Sequence, residues 1–524
     1  MDWNCPYPSQ RSPVFGRNVV ATSQPLAAQA GLAALAAGGN AVDAALAAAI
    51  TLTVVEPTNN GVGSDAFAIV RHRGDTVGLN ASGRAPLAME LSRYAGAGTM
   101  PSQGWDSVTV PGAVSAWVAL SERFGRLEFE RLFTDAIRYA RDGFAVTPIV
   151  ARQWALTAGM LADQPGFAEA FLPEGRAPEA GETFRLPALA ETLEDVAATR
   201  GESFYRGRLA ARIGEFARAG NGPLTADDLA AHRADWVTPL AVRAAGVRLL
   251  ELPPNGQGLA ALLAMAILEQ AGRADLATDS ADALHLEIEA MKLALADAAR
   301  YVGDPDAMTV DPATLLDDAY VASRAALIDP QRAGEPAAGV PGPGDTVYLS
   351  AADADGTMVS YIQSNYFGFG SGVVVPQTGI SLQNRASGFC LEAGHPNCVG
   401  PGKRPFHTII PAFVDAGGDG DLAFGVMGGP MQAQGHVQMV TRIYHGGQNP
   451  QAAADAPRWQ VLGSGDVAVE EGVDRTTRDA LEGRGHSLQS LPAALFGGAQ
   501  LVLRHGDGYA AGSDPRKDGC AVAF

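Results

Sequence analysis

The stretch PGPGDTVYLSAADADGTMVSYIQSNYFGFGSG, from Pro341 to Gly372, decides the fold. Its runs TVYLSAAD and MVSYIQS alternate apolar and polar residues and are rich in β-branched and aromatic side chains, which predicts two β-strands. A Pro/Gly-rich linker, Glu335 to Gly344, ends directly before them. Thr346 is therefore either an ordinary strand-opening threonine or a residue that becomes a new N-terminus when the chain is cut before it.

An N-terminal threonine carries its own base. The reference pKa of an α-amine is about 7.7–8.0, so near neutral pH a useful fraction can accept the hydroxyl proton. This state requires the Asp345–Thr346 bond to break, which the Thr346 hydroxyl can bring about by attacking the Asp345 carbonyl and forming an ester that water releases. The residues alone leave both interpretations of Thr346 open.

The first two-thirds of the chain predicts mainly helices. Two Ala-rich helices are separated by Gly38-Gly39-Asn40, and two strands are expected at Ala66–Arg71 and Thr76–Asn80. From Trp105 to Asp329 apolar residues recur at intervals of three and four residues, which predicts helices interrupted by one strand, GVRLLELPP.

The last third of the chain predicts mainly short strands. TVYLSAAD, MVSYIQS, HTIIPAFV, DLAFGVM, DVAVEE and AQLVLRHG are bounded by Gly and Asp. Two helices are expected among them, roughly Ala433–Tyr444 and Thr476–Gly483. Strands with helices on their outside predict an α+β layered fold rather than a strictly alternating, doubly wound sheet.

Composition excludes several classes of protein. The net charge of −19 and pI of about 4.9 argue against a nucleic-acid partner, which would require clustered Lys and Arg. The N-terminal residues have no basic or apolar signal-like region and no apolar stretch is long enough for a bilayer, so a cytoplasmic protein without a membrane partner is expected. Four scattered cysteines and no HExxH predict free thiols and no metal. The GxSxG elbow and a complete dinucleotide fingerprint are also missing, so no cofactor is expected.

Motifs along nearly the whole chain resemble the γ-glutamyltranspeptidase family. They occur in the family's order and are, from the first part, GGNAVDAALAAAITLTVVEP, SVTVPGAVSAW, YARDGF, FYRGRLA, GPLTADDLAAHRADWVTPL and YVGDP, and from the second, GDTVYLSAADADG, FGSGVVVPQTGISLQN, GKRPFHTIIPAFV, GVMGGPMQAQGHVQMV, DAPRW and DPRKDGCAVAF. The resemblance implies an N-terminal nucleophile hydrolase with a four-layer αββα sandwich. It also implies one precursor that cleaves itself into a large subunit, 1–345, and a small subunit, 346–524, interleaved in a single unit.

The resemblance also implies site residues. Thr346 is the self-processing residue and the mature nucleophile, with Asp345 on the other side of the cleaved bond. Ser364 is the second hydroxyl that supports the nucleophile. Gly428 and Gly429 match the family's diglycine, whose backbone N–H groups form an oxyanion hole, and glycine suits this task because a side chain would block close approach.

The substrate pocket departs from the family's pattern. Ser387 and Gly388 stand where the family has an acidic pair that holds the substrate α-amine, with Arg385 nearby. His407 and Thr408 replace the family's paired serines, and Tyr366 replaces a polar residue. Losing an anion while gaining Arg385 and His407 disfavours an α-ammonium group and favours a carboxylate.

Two further residues complete the substrate-binding candidates. Asn384 precedes Arg385, and Arg84 lies two residues away from the position of the family's substrate-carboxylate arginine. Arg84, Tyr366 and His407 each have a structural alternative: a surface arginine and two buried, hydrogen-bonded core residues.

Two hypotheses follow. The first is a self-processing amidohydrolase that hydrolyses, or transfers to an amine, the acyl group of a small carboxylate-bearing amide, without cofactor; it is similar to the glutathione-hydrolase-like branch with cephalosporin-acylase-type and oxamate-amidohydrolase-type enzymes. The second is an unprocessed, inactive homologue that binds a small carboxylate ligand. Dimerisation beyond the large–small pair remains open.

Overall fold

The structure is a computed structural model that describes residues 10–335 and 345–524, with Asp345 described through its backbone alone. Nearly all of the predicted Pro/Gly linker therefore lies outside the described residues, as do Cys5 and the rest of the first nine.

The structure has strands on both sides of the linker. The strands before residue 335 are β1 (Val14–Gly16), β2 (Val19–Thr22), β3 (Asp65–His72), β4 (Asp75–Asn80), β5 (Phe144–Ala145), β6 (Thr183–Phe184), β7 (Asp235–Val237), β8 (Leu240–Ala244) and β9 (Val247–Glu251). The later strands are β10 (Asp345–Ala352), β11 (Met358–Tyr366), β12 (Val374–Val375), β13 (Ile380–Ser381), β14 (Ala412–Asp415), β15 (Leu422–Met427), β16 (Trp459–Val461), β17 (Val467–Val469), β18 (Leu488–Ser490), β19 (Gly498–His505), β20 (Gly508–Ser513) and β21 (Cys520–Ala523).

Most helices precede residue 335. They are α1 (Pro25–Ala36), α2 (Ala41–Val55), α3 (Ala113–Phe124), α4 (Thr134–Asp142), α5 (Pro148–Leu161), α6 (Phe167–Phe171), α7 (Pro187–Thr199), α8 (Glu202–Arg206), α9 (Arg208–Ala219), α10 (Ala226–Ala231), α11 (Gly258–Gln270), α12 (Ala281–Tyr301) and α13 (Asp318–Ala325). The later helices are α14 (Met431–Val440), α15 (Pro450–Asp455) and α16 (Arg475–Gly483). In the described ranges, none of the helices is long and apolar enough to cross a membrane.

Two seven-stranded sheets lie face to face. The first has the order β21-β2-β10-β11-β3-β4-β7 and the second β1-β20-β19-β15-β14-β9-β8. Apolar side chains of both sheets, such as Phe67, Ile362, Phe413 and Val502, form one buried cluster between them. Helices α1, α2 and α3 contact the first sheet, and α11, α14 and α15 contact the second. Helices α4 and α7 pack behind α2, and α12 packs against α11, within the same two hydrophobic clusters. The predicted αββα sandwich is confirmed.

Both sheets combine strands from either side of the linker. The first sheet places β10 and β11 between β2 and β3, and the second places β14 and β15 between β9 and β19. The segments 1–345 and 346–524 are thus interleaved in one unit; their status as separate subunits stays a prediction.

The Ala-rich helix α2 supports the strand that begins at the predicted nucleophile. All of its residues are buried, and it contacts β10 and β11. Asn40 starts the helix with a capping box: its side chain accepts from the backbone of Asp43, whose carboxylate accepts from the Asn40 N–H. Alanine permits the close approach of this helix to the sheet, which explains the composition seen in the sequence.

Direct contacts hold β10 against β15. A Cβ on Gly425 would lie 2.4 Å from the Tyr348 ring, so this position admits only glycine. The hydroxyls of Ser350 and Ser360 donate across the sheet interface to the carbonyls of Ala423 and Phe424 at 3.0 and 3.3 Å. The start of β10 is thereby fixed beside the end of β15.

Several boundaries differ from the sequence prediction. The run HTIIPAFV becomes a strand only at Ala412, because the Ile410 N–H is used by a glutamine side chain and Pro411 has no N–H to donate. The expected helix Ala433–Tyr444 begins earlier, at Met431, and its end continues as a π-helix, Thr441–His445. Between Trp105 and Asp329 the sequence predicted one strand, β9, whereas the structure has four more, β5, β6, β7 and β8. Three of these are too short for periodicity to reveal, and β8, which is as long as β9, forms a hairpin with it.

Candidate active site

Thr346 lies in an irregularity of the β10–β11 pair. Asp345 pairs with Tyr366 but Val347 pairs with Gln363, so two residues of β11 oppose Thr346. Such a bulge re-aims the local side chain and interrupts the ladder. The Asp345–Thr346 peptide bond therefore lies at a break in regular pairing, where a carbonyl can be presented to a neighbouring hydroxyl.

The Thr346 side chain is buried and contacts two polar groups. Its hydroxyl donates to Ser364 Oγ over 3.3 Å, and Gln432 Nε2 donates to Thr346 Oγ1 over 3.3 Å. Ser364 Oγ also accepts from the Tyr366 N–H over 2.7 Å. Only 1% of Thr346 is exposed, so its hydroxyl is held in a fixed, nearly dry position. The structure thus brings the predicted nucleophile and its predicted supporting hydroxyl together.

The diglycine follows β15 and begins the turn into α14. Gly428 and Gly429 have φ of 119° and 60°, the left-handed region that favours glycine. A Cβ on Gly428 would lie 2.9 Å from the Gly497 Cα. The hydrogen bonds of the described residues include no acceptor for either amide N–H. Because Gln432 in the following turn contacts Thr346, these N–H groups belong to the nucleophile's surroundings.

Arg385 is a buried guanidinium with an unpaired edge. Its Nη1 donates to Thr408 Oγ1 over 3.0 Å, and its Cζ lies 4.7 Å from the centre of the Tyr366 ring. Its Nε and Nη2 are buried and have no hydrogen-bond partner among the described residues. Burial lowers the pKa of Arg385 to about 10, so the group remains a cation at neutral pH.

His407 does not supply a second cation. Its Nε2 lies 3.1 Å from Asp65 Oδ2, both side chains are fully buried, and the Phe67 ring meets the imidazole edge-on. Burial and the nearby Arg385 hold the pKa of His407 well below its usual range, so it is neutral and donates an ordinary hydrogen bond to Asp65. This environment favours the structural alternative for His407, a buried and hydrogen-bonded core residue, and its role in substrate binding stays a prediction.

Asp65 is the acidic group nearest to this cluster. Its Oδ1 accepts from the N–H groups of Gly83 and Gly112 at 3.2 and 3.0 Å. Burial raises the pKa of Asp65 to about 7, against the opposing effect of Arg385. Asp65 also pairs with Ser364 across β3 and β11. This carboxyl group thus titrates near neutral pH beside a cation that binds no other anion.

Tyr366 and Asn384 shape the wall around Arg385. Tyr366 is buried and adopts a φ of 85°, unusual for a side-chain-bearing residue, which directs its ring onto the guanidinium. Asn384 donates to the Ser102 carbonyl over 2.7 Å and accepts from the Phe367 N–H over 3.2 Å. Its amide is thus held in place by two backbone groups, and its predicted role in substrate binding stays a prediction.

Arg84 lies apart from these contacts. Its Nη1 donates to the Gly402 carbonyl over 3.0 Å and lies 3.4 Å from Asp304, and its side chain is about half exposed. Its described contacts include neither Thr346 nor Arg385. Its predicted role in substrate binding stays a prediction without a contact to support it.

Sequence reasoning missed three residues that border the site. Gln432 contacts the nucleophile, Asp65 faces His407, and Gln257 donates to the carbonyls of Thr408 and Gly429 at 2.5 and 2.9 Å. Gln432 follows the diglycine by three residues at the start of an apolar helix, where a buried amide is a detectable signal. Asp65 and Gln257 occupy ordinary strand and loop positions, and only their long-range contacts reveal them.

A cavity of about 510 Å³ adjoins this cluster. Its lining includes Gln257, Ser387 and Gly388, apolar residues such as Leu295 and Phe389, and polar residues such as Glu392 and His395. Gln257 connects this space to the site, because its amide bonds the Thr408 and Gly429 carbonyls.

One histidine cluster in the described ranges has ligand atoms close enough for a metal ion. It consists of His285, Glu289 and His486. The Lys292 ammonium, however, already lies 2.8 Å from Glu289, and His285 hydrogen-bonds His486 at 2.8 Å. The Lys292 ammonium thus already balances the charge of Glu289, and this cluster is better explained as a buried polar network.

Comparisons with known proteins agree with these features. The family model described as gamma-glutamyltranspeptidase matches residues 27–524. The oxamate amidohydrolase proenzyme of Klebsiella pneumoniae is 38% identical over 515 residues, covering 95% of this chain and 97% of that protein. The glutathione hydrolase-like YwrD proenzyme of Bacillus subtilis is 36% identical, with 98% and 100% covered.

A solved structure extends the likeness to three dimensions. The cephalosporin acylase from Bacillus halodurans superimposes with a TM-score of 0.95 at 45% sequence identity, covering 100% of this chain and 99% of that chain. The similarity therefore includes both sheets, both helical layers and the loops that form the site.

Proposed function

The chain belongs to the γ-glutamyltranspeptidase family and is an amide-bond hydrolase, and we propose that it acts through Thr346 on small amides whose acyl part carries a carboxylate. The relatives named as proenzymes support a precursor that is processed before it acts. Nothing in the site favours the alternative of an inactive binding protein, because the hydroxyl pair and the diglycine are both present.

In the proposed maturation step, Thr346 Oγ1 attacks the carbonyl carbon of Asp345. The C–N bond breaks, the Thr346 nitrogen takes up a proton to become a free amine, and an ester joins Asp345 to Oγ1. Water then cleaves the ester, which yields the Asp345 carboxyl group and an N-terminal Thr346. The bulge at Thr346 and the burial of its hydroxyl support this step.

In the proposed catalytic cycle, the same oxygen attacks the substrate amide. The α-amine of Thr346 accepts the hydroxyl proton and passes it to the leaving amine, while Gly428 and Gly429 donate their N–H groups to the oxyanion. Water then resolves the acyl-enzyme and releases the carboxylic acid. An amine in place of water would give transfer instead of hydrolysis.

The unpaired edge of Arg385 is the observation that carries the substrate assignment. Nε–H and the neighbouring Nη2–H point the same way and fit the two oxygens of a carboxylate. A buried cation without an anion costs free energy, which a bound carboxylate recovers. Thr408 and the Tyr366 ring hold the guanidinium in place, so the edge is preorganised.

The acidic pair that would hold an α-ammonium group in the family pattern is replaced here. Ser387 and Gly388 stand at the acidic positions of the family pattern, and the Ser387 hydroxyl donates to the Asn384 carbonyl over 2.6 Å. Both Asp65 oxygens are engaged by His407, Gly83 and Gly112. A γ-glutamyl substrate would therefore find no carboxylate at these positions for its ammonium group, so we propose that glutathione is not the main substrate.

Matched chromogenic amides test this function. Oxalyl, malonyl, succinyl and glutaryl anilides are compared with their methyl esters and with a γ-glutamyl anilide, which differs from the glutaryl compound by one amino group. We expect the best free acid to exceed its ester by at least about 100-fold in kcat/KM, and glutaryl to exceed γ-glutamyl. Equal rates for acid and ester would contradict the role of Arg385. A cytoplasmic location and any further dimerisation stay predictions.

A further inference from the structure

We propose that Gln432 is a catalytic residue whose side-chain amide fixes the direction in which the Thr346 hydroxyl attacks, both in self-cleavage and in substrate hydrolysis. The inference rests on the proposed function, since it assigns a role to a group that touches the proposed nucleophile. It is separable from that function, because Thr346 can still attack, more slowly, without this donor.

The geometry places one amide nitrogen on the reacting oxygen. Gln432 Nε2 lies 3.3 Å from Thr346 Oγ1, and Gln432 is completely buried in the first turn of α14. Its backbone N–H donates to the Gly429 carbonyl over 3.1 Å. The glutamine is thus tied to the diglycine by its backbone and to the nucleophile by its side chain.

The orientation of this amide is determined by its other end. Gln432 Oε1 accepts from the Ile410 N–H over 3.0 Å. A backbone N–H can only donate, so the oxygen must face Ile410 and the NH₂ group must face Thr346. Because Gln432 is completely buried, its amide has this one orientation.

A fixed donor restricts the hydroxyl. The Thr346 oxygen has one hydrogen and two lone pairs. Gln432 occupies one lone pair, and the hydrogen points to Ser364, which accepts it over 3.3 Å. One lone pair remains, so the direction of attack is selected before the carbonyl is engaged. Because little water reaches this buried site, the hydrogen bonds that orient the hydroxyl are stronger than they would be in solvent.

The donor also acts on charge. As Thr346 Oγ1 gives up its proton, electron density on the oxygen rises, and the Gln432 N–H stabilises it without itself losing a proton. The balance of the reaction is unchanged: the hydroxyl proton ends on the departing nitrogen, and one water is consumed. Removing a donor of this kind costs on the order of 10–100-fold for a bond of 3.3 Å, since the length is beyond the optimum.

Two substitutions test the role. Gln432→Met keeps the length of the side chain and removes the donor. Gln432→Glu keeps the shape and the acceptor for Ile410 but places an oxygen against Thr346, which can donate only when protonated. The α-amine of Thr346 forms only after cleavage, so its titration does not affect the cleavage rate. The pH dependence of that rate therefore reports on residue 432.

Helix α14 offers a matched control. Gln434 is also fully buried, and its amide donates to the Val461 carbonyl over 3.1 Å and accepts from the Val461 N–H over 2.7 Å. It makes no described contact with Thr346. Gln434→Met therefore removes a buried amide from the same helix and reports the structural cost alone.

We expect Gln432→Met to slow precursor cleavage and to lower kcat by about 10–100-fold, with KM within about threefold of wild type. Gln432→Glu should cleave faster as pH falls, a trend absent from Gln432→Met. Gln434→Met should lower the melting temperature but keep the cleavage rate within about threefold. Wild-type rates in both Gln432 variants would overturn the inference, as would equal slowing in Gln434→Met. A wild-type chain that never cleaves before Thr346 would instead contradict the proposed function.

Discussion

The hydroxyl of Thr346 lies 3.3 Å from the hydroxyl of Ser364, across the bulge in the β10–β11 pair. Ser364 Oγ accepts from the Tyr366 N–H as well, so its position is set by the backbone as much as by the nucleophile. This pair connects the strand that opens at the proposed cut with the strand that ends at Tyr366, whose ring lies against Arg385.

Ser364→Ala is expected to slow both precursor cleavage and kcat, by about 100-fold, because the Thr346 hydroxyl loses the hydrogen bond that orients it. Gel densitometry against time gives the first rate and steady-state kinetics the second. Ser360→Ala is the control: Ser360 lies on the same strand and bonds Tyr348 rather than Thr346. Equal losses in the two variants would indicate a structural effect.

Arg385→Lys should reduce kcat/KM for a carboxylated amide by about 10–100-fold and Arg385→Met by more, since neither side chain offers two parallel N–H groups. The matched methyl ester should lose less than threefold. Arg84→Gln should leave both substrates nearly unchanged, because that guanidinium is directed at Asp304 and Gly402. A large effect of Arg84→Gln would restore the sequence-based prediction for that residue.

The affinity for carboxylated substrates should depend on pH through Asp65. Burial raises the pKa of Asp65 to about 7. Below that pH Asp65 is neutral and Arg385 attracts an anion fully; above it, the Asp65 charge offsets Arg385, so KM should rise. A bound carboxylate that shifts this pKa by one unit changes KM about tenfold. The ratio of kcat/KM for acid and ester, measured from pH 5.5 to 8.5, cancels the titration of the α-amine. A flat ratio would contradict this coupling.

Tyr366→Phe should behave like the wild type within about threefold, because the ring that lies over Arg385 is retained. Tyr366→Leu should raise KM for carboxylated amides about 3- to 10-fold, as the cation–π contact is lost. Melting temperatures of both variants control for the strained φ at this position. Identical KM values in both variants would show that the ring does not hold the guanidinium.

The sequence predicted the layered fold because its local patterns agree with the tertiary structure. The break at Gly38-Gly39-Asn40 and the alternation after Thr346 both correspond to elements within a residue or two. Thr346, Ser364 and the diglycine were marked by the resemblance to the family, which short motifs carry. These features depend on short-range order, which a single sequence carries.

What the sequence could not reveal depends on contacts between distant segments. His407 seemed able to bind an anion, but Asp65, 342 residues away in the sequence, hydrogen-bonds its Nε2. Burial and the nearby Arg385 and Arg404 lower the pKa of His407, so it is neutral. Gln432 became visible only when α14 and β10 were placed side by side. The unpaired edge of Arg385 likewise depends on the absence of acceptors near Nε and Nη2 among the described residues, which no local sequence pattern encodes.

The most direct test of the account is the intact mass of the purified protein, followed over days, with N-terminal sequencing of any fragment and with Thr346→Ala in parallel. The account predicts two polypeptides, the smaller beginning Thr-Val-Tyr-Leu, and a Thr346→Ala chain that remains whole. A single full-length mass that persists, or cleavage that survives in Thr346→Ala, would contradict Thr346 as the self-processing nucleophile.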